Sequence, residues 1–282
     1  MDEPPVAEGP VMKTGGLIVL FFCLVAVCSP FIAPFSPTEI VSDQLRMPPL
    51  WEQEHPTSHL LGTDDLGRDV FSRLVYGAPV SLGIGACVVL FSVSLGVLLA
   101  LLAGTLGSWV DQLISRTVDI LMSLPSMLLA IVVVAILGPS LKNTVLAVGF
   151  VSIPSVYRIV RAQVLVEMRK NYVIAAQTFG ASWWRISFVH VLPNCLAPIL
   201  VQASLGFSEG ILSAAALGFL GLGAQPPTPE WGTLLSDSRA YIESSPWLVT
   251  LPGLCILLVV IGFNLLGDGL RDYFDPKLKR QE

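Results

Sequence analysis

Charge is what this sequence has least of. Asp, Glu, Lys and Arg make up only 13% of its 282 residues, and apolar residues make up 53%. A soluble domain carries about 25% charged residues, so the composition excludes an ordinary water-soluble globule and points to the bilayer. The net charge of −5 speaks against a nucleic-acid partner. No G-x-x-x-x-G-K-[ST] phosphate loop is present, so nucleotide hydrolysis is not expected of this chain itself. No set of nucleophile, base and orienter stands out. Cys23, Cys28, Cys87, Cys195 and Cys255 all lie in apolar runs without metal-ligand spacing and read as small buried hydrophobes. His55 and His59 flank Pro56 and read as solvated loop residues.

What is present is a series of apolar runs. They predict six transmembrane helices, at 15–33, 80–106, 120–138, 144–157, 196–223 and 247–266. The first is too long for a signal-peptide core of about 7–15 residues and lacks a clear cleavage site, so it is expected to be retained. The chain thus divides into a tail (1–14), a first transmembrane helix (15–34), an extracytoplasmic segment (35–79), a five-helix core (80–268) with a polar loop at 167–194, and a second tail (269–282). Within 35–79, Gly62, Asp64, Asp65, Gly67 and Asp69 form a turn cluster without EF-hand spacing. Asp69 is placed to cap an interfacial helix over 70–76. A polar break is expected over 108–119, and a short amphipathic helix over 230–241. Gly96, Ala100 and Gly104 make one small-residue ridge; Gly206, Gly210, Ala214 and Gly218 make a longer one, expected to be the best helix-packing seam.

Six spans put both termini on one side. With the termini inside, inner segments hold eleven of the 16 Lys and Arg residues and outer ones five, which makes both termini cytoplasmic. The loop 167–194 then faces the cytoplasm. Its sequence reads as helix, Gly180 stop, and a second helix begun by Ser182 and ended by Pro193. Trp184, Phe188 and Val191 recur at i, i+4, i+7 and give that second helix one apolar face. Such a segment is expected to dock a protein partner. Glu209 is the only acid well inside a span, and it is expected to line a passage or pair with a neighbouring helix.

Residues 175–193, AAQTFGASWWRISFVHVLP, resemble the EAA loop of permease subunits of bacterial ABC importers. That motif reads E-A-A, three residues, Gly, nine residues, Ile-x-Leu-Pro. Ala175, Ala176, Gly180, Leu192 and Pro193 match it, while Ile174 replaces the usual Glu and His190 the usual Ile. LGTDDLGRDVFSRLVYG, ALGFLGLGAQPPTPEWGTLLSD and FNLLGDGLRDYFDPKLK are similar to the second permease of dipeptide and oligopeptide importers. The resemblance covers nearly everything from residue 31 onward. It implies an all-α membrane protein of the type I importer-permease fold, in a bacterial inner membrane, with the matched loop residues coupling to ATPases. It implies a homologous permease as heterodimer partner, two ATPase subunits that bind the ATP and Mg, and an extracytoplasmic peptide-binding protein. No cofactor is expected in this chain. Nickel, glutathione and antimicrobial-peptide importers share much of the pattern. An ion-coupled carrier, the rival class, would need more ionisable residues in its spans than Glu209 alone.

Overall fold

The structure, a computed structural model, describes residues 10–52 and 58–274. His55, most of the N-terminal tail, and Lys277, Lys279 and Arg280 lie outside the described residues. Among those described, the helices in order are α1 Pro10–Val27, α2 Ser29–Ile32, α3 Val70–Thr105, α4 Ser108–Met122, α5 Ser126–Leu137, α6 Leu141–Glu167, α7 Asn171–Thr178, α8 Trp183–Arg185, α9 Leu196–Phe219, α10 Trp231–Ser238 and α11 Trp247–Phe274. A π-helical stretch, Ile186–Val191, and a 3-10 turn, Leu192–Cys195, join α8 to α9. Among the described residues, extended pairing is limited to a bridge between Thr63 and Asp69.

Among the described residues, four helical runs are long and apolar enough to cross a membrane: Val70–Thr105, Leu141–Glu167, Trp183–Phe219 and Trp247–Phe274. The pair α4 and α5 adds a fifth if taken as one broken span, and Val11–Val27 is a shorter apolar helix. Close contacts give their directions. Gly269 of α11 meets Met12 of α1 and Gly262 meets Ile18, so these two helices are antiparallel and the described chain ends lie together. Ser204 donates to the Phe263 carbonyl and Ser208 to that of Val260. Those bonds make α9 antiparallel to α11, so the start of α9 lies at the end of the molecule that holds both chain ends.

Several expected boundaries move. The interfacial helix and the second span are one 36-residue helix, α3, which crosses the expected division at 79/80 despite Pro79. A proline frees one carbonyl and crowds the preceding turn. Trp231 packs against the turn before it: its ring fills the groove left by Gly77, and its indole N–H donates to the Leu74 carbonyl at 3.1 Å. The expected polar break at 108–119 is helix α4. Its polar groups find partners on α6: Arg161 makes two bonds to the Asp111 carboxylate, each 2.5 Å, Ser115 meets the Tyr157 hydroxyl at 2.8 Å, and Arg158 reaches Asp119 at 2.8 Å. Those pairs also let α6 continue to Glu167, past the expected end at 157. The third span is not straight, since α4 and α5 meet at 88° across Ser123–Pro125. Pro125 stands just before α5, where it cannot extend the preceding helix.

The small-residue ridges divide differently from expectation. The tightest seam joins α3 to α6, where a Cβ on Gly96 would sit 2.7 Å from Val156 and one on Gly104 would overlap Val164. The longer ridge on α9 splits between two neighbours. A Cβ on Gly210 would sit 3.0 Å from Val88 of α3 and one on Gly218 3.1 Å from Gly232 of α10, but one on Gly206 would make only an ordinary contact at 3.9 Å. One ridge cannot serve a single seam here because α9 passes from α3 to α10 along its length.

At the end opposite the chain termini, Asp69 caps α3 by accepting from the Ser72 N–H at 2.7 Å. His59 is not solvated: it is 3% exposed and lies 2.9 Å from Asp69 Oδ1 and 2.7 Å from Gln44 Oε1. Asp64 holds the turn through the Leu66 and Arg68 N–H groups and pairs with the Arg68 guanidinium at 2.7 Å. Helix α10 forms as expected. Buried Glu230 caps it, accepting from Gly232 and Thr233 at 2.8 and 2.9 Å, and burial raises the pKa of that carboxyl. Asp237, whose carboxyl is likewise pushed up by burial, approaches Arg73 at 3.5 Å and ties α10 to α3.

Candidate functional site

The segment 171–195 is built as two short helical pieces around a glycine. The first, α7, ends in a paired hydrogen-bond stop: the Ala181 N–H donates to the Ala176 carbonyl at 3.0 Å and the Gly180 N–H to that of Gln177 at 2.9 Å. This Schellman geometry needs a left-handed residue after the helix, and Gly180 supplies it at φ +77°. Ser182 begins the second piece, as its spacing predicts, but its side chain makes no capping bond.

Pro193 does not end that piece. The backbone stays helical from Trp183 through Phe219, first as π-helix and then as a 3-10 turn. Proline has no N–H to give, and a wider upstream register changes which carbonyls seek one. The π register also breaks the expected apolar stripe. Val191 is fully buried, whereas Trp184 is 60% exposed and stacks on Phe188 at 4.0 Å between ring centroids.

The segment therefore has an inner and an outer face. Val173, Ile186 and Val191 are buried with Tyr157, Val160 and Val164 of α6 and Leu101 of α3. Outward stand Phe179, 90% exposed, together with Trp184 and Val189. Of the motif residues, Ala175, Gly180 and Pro193 are exposed, while Ala176 and Leu192 are half-buried. An apolar outer face on a scaffold held from within is the arrangement of a docking surface.

Two polar anchors fix the segment to the long helices. Glu167, at the end of α6 and 1% exposed, accepts from Lys170 Nζ and the Tyr172 hydroxyl, each at 2.6 Å. Burial, with this bond second, pushes the Tyr172 phenol up to about 12, so it stays a donor at any physiological pH. Thr105, at the end of α3, accepts from the Trp183 indole at 2.6 Å and bonds the Ser187 hydroxyl at 3.1 Å. Neither anchor is foreseen from the sequence. Glu167 with Lys170 at i+3 was a local signal, but Thr105 and Trp183 are 78 residues apart.

Thr105→Val removes the shared acceptor while keeping the shape. A lost bond that leaves its donor unpaired costs about 1–3 kcal/mol. Amide exchange over 183–191 is expected to speed up roughly tenfold, with the body of α3 unaffected. Equal exchange in variant and parent would show that the anchor does not hold the segment.

Glu209 lies on α9 facing a cavity of about 320 Å³. Residues at the bend between α4 and α5, among them Met122 and Met127, line it together with α6. Gly206, Gly210, Ala214 and Gly218 lie on the same helix, and Gly210 and Gly218 make the close contacts. Among the described residues no group of three or more His, Cys, Asp or Glu is placed to hold a metal ion.

Residues 96–280 match the family model described as binding-protein-dependent transport system inner membrane component. The chain is 56% identical over 273 residues to the dipeptide transport system permease protein DppC of Escherichia coli (strain K12), covering 97% of this chain and 90% of the relative. It is 54% identical over 268 residues to the di/tripeptide transport system permease protein DppC of Pseudomonas aeruginosa (strain UCBPP-PA14), covering 94% and 88%. It is 43% identical over 270 residues to the glutathione transport system permease protein GsiD of Pectobacterium atrosepticum, covering 95% and 88%.

Proposed function

The chain belongs to the binding-protein-dependent transport system inner membrane component family, and we propose that it is the permease subunit of an ATP-driven importer that moves dipeptides across the inner membrane. The dipeptide assignment rests on the relatives at 54% and 56% identity, above the 43% of the glutathione relative. The observation that carries the mechanism is the 171–195 segment: a glycine-broken helix pair, anchored inside by Glu167 and Thr105, with Phe179, Trp184 and Val189 outside.

In this reading the outer face docks on an ATPase subunit in the cytoplasm, and Ala175, Ala176, Gly180, Leu192 and Pro193 shape the dock. Two ATPases, which bind the ATP and Mg, sit below this chain and a homologous permease, and an extracytoplasmic binding protein delivers the peptide. Both termini are cytoplasmic, and the six helical runs alternate across the bilayer, with α4 and α5 as one broken pass. When the ATPases close, the segment moves with them. The anchors at Thr105 and Glu167 pass that motion to α3 and α6, which are packed face to face through Gly96 and Gly104. The chain itself performs no chemistry; it converts a displacement at one end into an opening at the other.

Reconstitution tests this directly. Proteoliposomes holding this permease, its sister permease and the ATPases should take up labelled dipeptide only with ATP inside and loaded binding protein outside. Uptake driven by an ion gradient without ATP would assign the chain to another transport class.

A further inference from the structure

The cavity beside Glu209 plays no part in docking. At about 320 Å³ it falls at the small end of ligand pockets, about 300–1,000 Å³. Its wall is mainly apolar, and its polar side chains are serines, among them Ser152 and Ser155 of α6 and Ser213 of α9, together with Glu209. Glu209 is the only ionisable lining residue. Among the described residues no cation pairs with it; the two arginines of α6, Arg158 and Arg161, are taken by Asp119 and Asp111. Glu209 lies thirteen residues from Leu196 and ten from Phe219, about 20 and 15 Å along the helix. A carboxylate at that depth without a partner is costly and calls for a cation.

The lining chemistry selects which cation. A carboxylate accepts only, and a serine hydroxyl keeps its lone pairs free while donating, as Ser152 does to the Val148 carbonyl at 2.8 Å. The cavity therefore offers acceptors and a negative charge, and no basic side chain to receive a carboxylate. An ammonium group brings three donors and a positive charge. The free amino terminus of a peptide, with a pKa of about 8, is mostly in that form at neutral pH. We propose that Glu209 is the transit site for the N-terminal ammonium group of the transported peptide, with the serines of α6 and α9 as supporting acceptors. The inference rests on the peptide-importer reading above and adds the residue that holds the cargo between the binding protein and the cytoplasm. A site of this kind need only be weak. Its effect is to keep the peptide in the passage while the outer opening closes, so its loss wastes ATP.

The test uses the complete transporter in proteoliposomes, with labelled dialanine uptake and ATP hydrolysis measured in the same vesicles. Glu209→Gln keeps the shape and removes the charge; Glu209→Asp keeps the charge. The expected result is a fall of about tenfold in peptide moved per ATP for Glu209→Gln, with the sister permease still co-purifying and the loaded binding protein still stimulating hydrolysis. Glu209→Asp should stay within about threefold of the parent. Parental coupling in Glu209→Gln overturns the transit site, and so does an equal loss in both variants. Loss of the sister permease from the Glu209→Gln complex also overturns it, because the carboxylate would then pair with a base across the subunit interface. A parent transporter that moves no dialanine under ATP and binding protein overturns the importer reading and this inference together.

Discussion

Gly180→Val is expected to weaken ATPase association about five- to thirtyfold while leaving membrane insertion intact. The residue sits at φ +77°, and a left-handed backbone costs an L-residue roughly 1–2 kcal/mol; a β-branched side chain is among the least tolerant there. The position has a useful property for the experiment. A Cβ built on Gly180 meets nothing within 4 Å, so valine adds strain without a clash. The substitution therefore tests backbone conformation alone. The paired stop that turns α7 into α8 opens, and Phe179 and Trp184 lose their fixed relation. Gly180→Asn should retain most of the binding, because asparagine enters the left-handed region readily. Pull-down of the ATPases by the purified permease reads both variants. Equal recovery for parent and Gly180→Val would show that docking does not depend on the bend.

The second large effect is placed at the other end of the molecule. Gly232→Val is expected to destabilise the permease by about 3 kcal/mol or more, because overpacking against backbone cannot be relieved by a side-chain rotation. A Cβ on Gly232 would lie 2.5 Å from the Ala215 carbonyl oxygen and 2.6 Å from its Cα. Helix α10 could then no longer rest on α9, and Trp231 would leave its groove beside Gly77. Gly206→Ala is the matched control. Its Cβ would meet only Val89, at 3.9 Å, and alanine favours helix by about 1 kcal/mol over glycine. Thermal unfolding in detergent should show a sharp loss for Gly232→Val and little change, or a small gain, for Gly206→Ala. Similar melting of the two variants would mean that the α9–α10 contact is not close-packed.

These two glycines show where sequence reasoning reaches and where it stops. Gly180 was legible because a helix stop is local: a run at helical spacing, then the one residue that tolerates positive φ. The same is true of Asp69 as a cap, and of the apolar runs as spans. Gly232 was not legible. Nothing within ten residues of it states that a Cβ there would lie 2.6 Å from the Ala215 Cα. The α9 ridge shows the limit from the other side: its four small residues were legible, but not that the ridge divides between α3 and α10. Likewise the polar composition of 108–119 suggested a break, because its partners Tyr157, Arg158 and Arg161 are 39 to 50 residues away. With those partners in place the segment is a helix.

The sequence by itself determined that this is a helical membrane chain, which segments are apolar enough to lie in a bilayer, and where one helix pair turns back through Gly180. Each of these depends on composition, spacing or a single residue's backbone freedom, and all three are local properties. Only the tertiary structure decided that α3 runs unbroken past Pro79, that α4 and α5 meet at 88°, that Pro193 lies inside a helical run, and that Glu209 faces a cavity. In each case the deciding free energy comes from groups distant in sequence. Trp231 covers the turn before Pro79 of α3, Arg161 neutralises Asp111, and α4, α5, α6 and α9 together line the space that Glu209 faces.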